Sequence, residues 1–401
     1  PAAMAAAGPP LAAVAEGRFQ LLEEIGAGAF AQVWRGVDAE TQEPVAVKLE
    51  DYDAEEQAMQ LEDEAALLRH VVAPGQPEGF ARVLHNGDAG HFHCLVTDLL
   101  GPPLGSLVGG AVGTGVLSKA AVARLAEQMI GRVAYLHSRG VVHCDLKPDN
   151  FLFGLGAKAN HVYLIDFGLS RHYFVGGRHV PMRTGVSPQG TLRYMSVNVL
   201  RGFTPSRRDD LEALGYIFVY FVTGKLPWSG LHAAAGTEDD FRAARRLVLE
   251  CKSATPLGEL CRGLPTAFGT FLRKATALGY DERPDYGHLR GLFEGVPAGR
   301  GETFPWLRGV SVAQLLPLEP WSPPKQPDHE AKQEPSALAR MAGFFRSACH
   351  SEDLALDEGE EDFRYVAGYA SSGDASSGDA SSSSGGGLGR RERRGRRGLC
   401  A

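Results

Sequence analysis

Apolar residues in the first hundred positions fall in short runs of strand length. Phe19 to Ile25 reads as one strand and Ala31 to Val37 as its return partner, with a glycine-bearing turn between them. Pro44 to Leu49, rich in Val and Ala, reads as a third strand, and His91 to Leu99 as another. Glu55 to His70 sets Met59, Leu61, Leu67 and Leu68 among acids, an imperfect period that predicts a helix. From Ser118 onward helical spacing dominates. Ser118 stands where a helix cap belongs, the helix runs to about Ser138, and Gly140 follows its end. The most apolar run, Leu214 to Val222, is too short to span a bilayer and reads as a buried core helix.

A small strand-rich part followed by a larger helical part predicts an α+β chain of two lobes, 18–98 and 101–297, with a cleft between them. Clefts of this kind are common ligand sites. Residues 1–17, rich in Ala and Pro and without a basic start, read as a flexible leader rather than a secretory signal. Patterning fades after about Val296. Residues 317–335 are rich in Pro, Glu and Lys, 355–363 are acidic, 370–387 are Ala, Ser, Gly and Asp, and 390–397 are nearly all Arg and Gly. Such segments bury too little apolar surface to offset ordering entropy, so 298–401 is expected to be largely disordered, with room for a short helix near Ala337 to Ala348.

Composition narrows the picture modestly. The chain has 401 residues, 44% apolar and 22% charged, with net charge -7. The acidic balance gives no support for nucleic acid as the main partner. The six cysteines form no C-x-x-C pair, which disfavours a zinc site or a disulfide framework and suits a reducing, intracellular compartment, cytoplasmic or nuclear.

The chemistry is concentrated in four segments. Gly26-Ala27-Gly28-Ala29-Phe30-Ala31 sits in a turn between strands, where glycines let backbone N–H groups approach phosphate oxygens. Alone it is a common hairpin feature. Lys48, on the strand beneath, can hold phosphates or simply end a strand in water. Glu64 lies on the predicted helix where it can pair with Lys48, with Glu62 and Asp63 as competitors. The central segment His143-Cys144-Asp145-Leu146-Lys147-Pro148-Asp149-Asn150 is more specific. Phosphoryl transfer needs a carboxylate near the attacking hydroxyl, a cation near the transferred phosphate and an oxygen ligand for Mg²⁺, and Asp145, Lys147 and Asn150 supply them in that order. Tyr163-Leu164-Ile165-Asp166-Phe167-Gly168 then places a carboxylate after an apolar strand, and Asp166 with Asn150 suits a hard metal ion. A polar turn plus a strand-end Asp is a poor account of all four segments in this order.

Over residues 18–297 the chain resembles a eukaryotic protein kinase, and the casein kinase 1 family in particular. Leu99-Leu100-Gly101-Pro102 resembles that family's hinge. Lys147-Pro148-Asp149-Asn150-Phe151-Leu152 resembles its catalytic loop. Ser196-Val197-Asn198 stands where most kinases carry Ala-Pro-Glu and this family a Ser-Ile-Asn. Ser206 to Tyr216, followed by Leu226-Pro227-Trp228, is close to a family hallmark. The resemblance implies a bilobal kinase fold, with a small antiparallel sheet and one main helix in the N-lobe and a mainly helical C-lobe. It implies ATP and Mg²⁺ as cofactors and protein substrates. Lys48 and Glu64 would form an ion pair. Ile25, Gly26, Gly28, Val33, Ala46 and Thr97 would surround the nucleotide, with Thr97 as gatekeeper. Asp98 and Leu100 would offer backbone groups to adenine. Asn150 and Asp166 would bind the metal, Asp210 would anchor the catalytic loop, and Arg193 would help hold a substrate anion.

The chain departs from the pattern in three places. Ala31 replaces the third glycine of the phosphate loop. Cys144 replaces the Arg that precedes the catalytic Asp and receives an activation-loop phosphate elsewhere, so constitutive activity is expected. A reactive Cys144 is disfavoured, because Asp145 opposes the charge of Lys147. Finally, the basic residues that hold primed substrates are missing: Thr184 to Pro188 and Glu238-Asp239-Asp240 stand instead, and acids there repel phosphate.

In the tail, Asp374 precedes Ser377 and Asp379 precedes Ser382 by three residues, spacing that suits acidic-directed autophosphorylation or a plain linker. Arg390 to Arg397 could contact anionic partners, and Cys400 could carry a palmitoyl group. The main reading is an active Ser/Thr kinase that is monomeric and makes no direct nucleic-acid contact through its kinase domain. The alternative is a pseudokinase scaffold, against which Lys48, Asp145, Asn150 and Asp166 all stand.

Overall fold

The computed structural model describes residues 9–27, 31–52, 60–73, 75–108, 116–231 and 238–297. Six antiparallel strands form the N-terminal sheet: β1 (Ala13–Val14), β2 (Phe19–Ala27), β3 (Gln32–Asp38), β4 (Pro44–Asp51), β5 (Val83–Ala89) and β6 (Phe92–Asp98), in the order β1-β2-β3-β4-β6-β5. The helix α1 (Gln60–Val72) packs on it.

Strand alternation decides what each face does. Val45, Val47 and Leu49 of β4 point to one side and join Phe19, Trp34, Cys94 and Val96 in an apolar cluster. Burying each such aliphatic side chain contributes about 1.5–3 kcal/mol. A one-residue slip would force Lys48 and Glu50 into that cluster, so the register of β4 is strongly specified. The other face carries Ala46, Lys48 and Glu50 toward α1 and the cleft. There Leu61 and Ala65 of α1 pack on Leu95, with Val83 alongside.

Two expectations are corrected. Of the leader expected over 1–17, the described part from residue 9 carries structure: β1 pairs with β2, Val14 is 2% exposed, and Leu11 packs against the same cluster. Three apolar residues, Leu11, Val14 and Phe19, supply an anchor that the Ala- and Pro-rich composition conceals. β5 was not expected either, because Val83-Leu84-His85-Asn86-Gly87-Asp88-Ala89 shows no alternation. As an edge strand it is held by pairing with β6. The helix expected from Glu55 is α1, and its predicted first residues lie outside the described ones.

Beyond residues 99–103 the chain is mainly helical. Ser118 caps α2 (Lys119–Ser138), its hydroxyl accepting from Ala121 N at 3.1 Å, as the sequence implies. The short strands β7 (Val141–Val142), β8 (Phe151–Phe153), β9 (Val162–Leu164) and β10 (Arg171–His172) carry the loops of the cleft. After α3 (Val197–Leu200) comes α4 (Arg207–Thr223), which is apolar nearly all round and buried accordingly. Gly215 lets α4 meet the later helix α7 (Thr266–Ala277) closely: a Cβ there would lie 2.3 Å from the Leu272 side chain. The helices α5 (Glu238–Ala254), α6 (Leu257–Leu260) and α8 (Tyr286–Glu294) complete the lobe. Among the described residues no helix is long and apolar enough to cross a membrane. The expected helix at Ala337 to Ala348, the low-complexity segments, Ser377, Ser382, Arg390 to Arg397 and Cys400 lie outside the described residues.

Candidate active site

The loop after β7 is held from beneath by Asp210, the fourth residue of α4. Its two oxygens accept the backbone N–H groups of His143 at 2.7 Å and Cys144 at 3.0 Å. Cys144 has φ +68°, unusual for a residue with a side chain. Such strain costs about 1–3 kcal/mol. Two hydrogen bonds to a charged acceptor, each contributing about 1.5–3 kcal/mol, outweigh it. Burial alone would raise the Asp210 pKa, but the hydrogen bond from His137 and these N–H groups hold it below the usual carboxylate value. The His143 ring, fully buried, reaches Ile165 O at 3.0 Å and packs on Phe167.

The loop then presents Asp145. One carboxylate oxygen accepts from Thr191 N at 2.8 Å and Thr191 Oγ1 at 2.7 Å, and the other from Lys147 Nζ at 2.8 Å. The Asn150 amide donates Nδ2–H to Asp145 O at 2.9 Å, which leaves its side-chain oxygen as the remaining polar atom. β8 and β9 pair Phe151 with Leu164, and Ile165 N donates to Asn150 O at 3.0 Å. That register sets Asn150 beside Asp166. Asp166 has φ +65°, the second strained residue of the cleft. Burial opposes its charge, but Lys48, His143 and Lys147 together hold its pKa low.

From the upper lobe, Lys48 Nζ lies 2.6 Å from Glu64 Oε2 and 3.5 Å from Asp166 Oδ1. Glu64 is 7% exposed. Burial works against the Lys48 ammonium, yet the charges of Glu64 and Asp166 win and raise its pKa. Cross-strand pairing puts Val33 opposite Lys48 and Thr97 opposite Ala46, so all four share the cleft face. Gly26 pairs with Val33, and Ile25 stands at an irregularity in the β2–β3 register just before it. Gly28 lies outside the described residues. At the end of β6, Asp98 spends its carboxylate on Arg82, whose N and Nε donate at 2.8 Å each. Gly101 N then donates to Phe153 O at 2.8 Å. Between them the Leu100 backbone makes no hydrogen bond among the described residues, so its N–H and C=O are open to a planar ligand edge.

The protein kinase domain family matches residues 19–284, well over half the chain. The chain belongs to the protein kinase domain family. The family uses ATP and a divalent metal, and the residues fit both. One carboxylate and one amide oxygen are hard donors but too few for a dedicated metal cage, and no group of three His, Cys, Asp or Glu side chains capable of holding a metal occurs among the described residues. A divalent ion in this kinase would therefore be shared with nucleotide phosphates.

Arg193 lies two residues beyond Thr191. Its guanidinium lies over the Tyr220 ring at 5.7 Å and its carbonyl accepts from Trp228 Nε1 at 2.7 Å. Of the acids expected to repel phosphate, Asp239 is exposed and lies 3.7 Å from Arg242. Three contributors to the kinase site escape a reading by motif. Thr191 locks Asp145. His137 joins Asp210 to Tyr286. Lys252, buried, has its pKa drawn down by burial against the opposing charge of Glu212; it ties to the carbonyls of Leu192 and Met195 and holds the segment before α3. Only Thr191 had a sequence signal, its place after Gly190 ahead of Arg193.

Proposed function

We propose that this protein kinase is a casein kinase 1-like Ser/Thr kinase whose catalytic carboxylate is Asp145. The reading rests on one observation above others: Lys48 contacts Glu64 and Asp166 at once, while Asp145 is locked to Thr191 and Lys147. Asp145 orients the substrate hydroxyl and accepts its proton. Lys147 offsets charge on the transferred phosphoryl group, and Lys48, kept in place by Glu64, holds the other phosphates. Asn150 and Asp166 would hold the metal, which would neutralise charge on the phosphates, and ATP would supply the phosphoryl group. Positioning and electrostatics supply the rate.

The casein kinase 1 likeness rests on Ser196-Val197-Asn198, the hinge and the Ser206 to Tyr216 segment. Constitutive activity is supported by Cys144, which stands where an Arg would receive an activation-loop phosphate. Weak dependence on primed substrates is supported by the acids Glu238-Asp239-Asp240 and by the lack of a basic residue in Thr184 to Pro188. We further propose a monomeric enzyme of the cytoplasm or nucleus, with Arg390 to Arg397 as a contact for anionic partners; imaging of tagged chains with and without that cluster tests the placement. Pseudokinases usually lose the Lys, the catalytic Asp or the metal Asp, and the presence of Lys48, Asp145 and Asp166 here favours catalysis.

The deciding experiment is an ATP–Mg²⁺ assay on casein and peptide arrays with phosphatase-treated enzyme and its Asp145→Asn variant. Phosphate on Ser or Thr from the wild type alone is expected. Equal signals from both would remove Asp145 from the mechanism. An inactive dephosphorylated enzyme would remove constitutive activity, and a strong preference for phosphoserine three residues upstream would remove independence from priming.

A further inference from the structure

The Lys48–Glu64 ion pair has a neighbour that no motif marks. Glu50 lies two residues beyond Lys48 on β4, on the same face of the strand. It is 6% exposed, and it forms no ion pair among the described residues. Its two oxygens go to the start of α1: Oε2 accepts from Leu61 N at 2.8 Å and Oε1 from Gln60 N at 3.3 Å. A buried carboxylate without partners is costly, and the free N–H groups of a helix start, at the positive end of its dipole, are the partners that offset this.

The spacing of the two grips matches. Lys48 and Glu50 are two strand residues apart, about 6.6 Å. Leu61 and Glu64 are three helix residues apart along one face, about 4.5 Å of rise plus their side-chain reach. β4 therefore holds α1 at two points. The Lys48–Glu64 contact alone is a flexible link between two long side chains, about which the helix can swing. The second grip acts on the helix backbone and removes that freedom.

We propose that Glu50 is a positioning residue for catalysis: by capping α1 from β4 it keeps the helix where Glu64 engages Lys48. The proposal rests on the reading of Lys48 and Glu64 given above, and its consequence is a population shift. Loss of the cap leaves the catalytic groups intact but lowers the fraction of molecules with Glu64 engaged. Loss of a helix cap shifts such an equilibrium by about five- to tenfold.

The test is a double-mutant cycle on the whole chain with the casein and peptide assay, thermal midpoints being recorded for every variant. Glu50→Ala is expected to lower kcat measurably, by up to about five- to tenfold, at unchanged KM for peptide, and Glu50→Gln, which keeps one acceptor, to lose less. Glu64→Ala is expected to lose more than either. In the double variant Glu50→Ala adds less than about a twofold further loss, because there is no engaged Glu64 left to position. Multiplying losses with an impaired Glu64→Ala would overturn the positioning role alone, since a merely structural Glu50 acts independently of Glu64. Wild-type kcat in Glu50→Ala would overturn it too. Wild-type activity in Glu64→Ala would instead overturn the ion-pair reading beneath it. If Glu50→Ala fails to fold, the same cycle is run with Glu50→Gln.

Discussion

Asp210 and Cys144 are tied by a single hydrogen bond of 3.0 Å, and across it a buried carboxylate holds a left-handed backbone in place. His143 N is bound to the same carboxylate, so α4 fixes two consecutive peptide groups immediately before Asp145. Asp210→Ala leaves both N–H groups buried and unpaired. Breaking such a charged network costs about 3–5 kcal/mol, enough to lower the thermal midpoint by several degrees and to release the Cys144 strain. We expect kcat to fall by about a hundredfold or more even at temperatures where the variant stays folded, because the loop no longer aims Asp145. A folded Asp210→Ala with wild-type kcat would show that the loop holds itself.

His137 gives a pH dependence. Its Nε2–H donates to Asp210 at 2.9 Å, so its Nδ1 accepts from the Tyr286 hydroxyl at 2.7 Å. Burial lowers its pKa in spite of Asp210. In the unfolded chain it titrates near ~6.5. As pH falls below that value the unfolded chain gains a proton that the folded chain refuses, so stability declines, by at most about 1.4 kcal/mol per pH unit. Asp209 acts in the opposite sense. Burial raises it to about 6, so on acidification the folded state takes its proton first. The His137 part is isolated by comparing urea midpoints of wild type and His137→Gln at pH 7.5, 6.5 and 5.5. The wild type is expected to lose stability more steeply, and parallel lines would remove the assignment.

Cys144 is expected to be inert. Burial is the main cause that pushes its thiol far above the ordinary range, with the Asp210 charge adding to it, and Arg171 does not compensate. Lys147, the other nearby cation, is spent on Asp145. Iodoacetamide at pH 7.5 should alkylate Cys144 in the native enzyme at least about a hundredfold more slowly than free glutathione, since only thiolate reacts. Peptide mass spectrometry over time would settle it, and early labelling at Cys144 with loss of activity would reverse the conclusion.

The sequence disclosed the fold wherever one segment carried its own period or cap. β2, β3, β4, β6 and the start of α2 at Ser118 were legible for that reason. β5 was not, because an edge strand borrows its order from β6. Nor was β1, whose two residues hold through three apolar contacts in a Pro- and Ala-rich stretch. In the candidate site, Lys48, Asp145, Asn150 and Asp166 were legible because the chemistry constrains residue type and spacing together. Glu50, His137 and Lys252 were not. Each acts on backbone or on another side chain across a long loop, and in one sequence a buried Glu or Lys looks like a solvated one.

Gly190 offers the most direct test of how the segment before α3 meets the loop that carries Asp145. It has φ +109°, and a Cβ at this position would lie 2.7 Å from Cys144 O and 3.2 Å from Asp145 Oδ1. Both the backbone conformation and the space exclude a side chain. The next residue, Thr191, gives Asp145 two hydrogen bonds, so any shift at Gly190 moves the donors that orient the carboxylate. Gly190→Ala is therefore expected to lower kcat by about a hundredfold, the loss that a displacement of about 1 Å brings to an oriented group. Its thermal midpoint should fall by only a few degrees, since the strain is local and of order 1–3 kcal/mol. Thr191→Val is the control: it removes the hydroxyl donor, keeps the backbone one, and should lose about tenfold, in line with one charged hydrogen bond. If Gly190→Ala retains the activity of Thr191→Val or better, the close approach of these two backbones does not position Asp145.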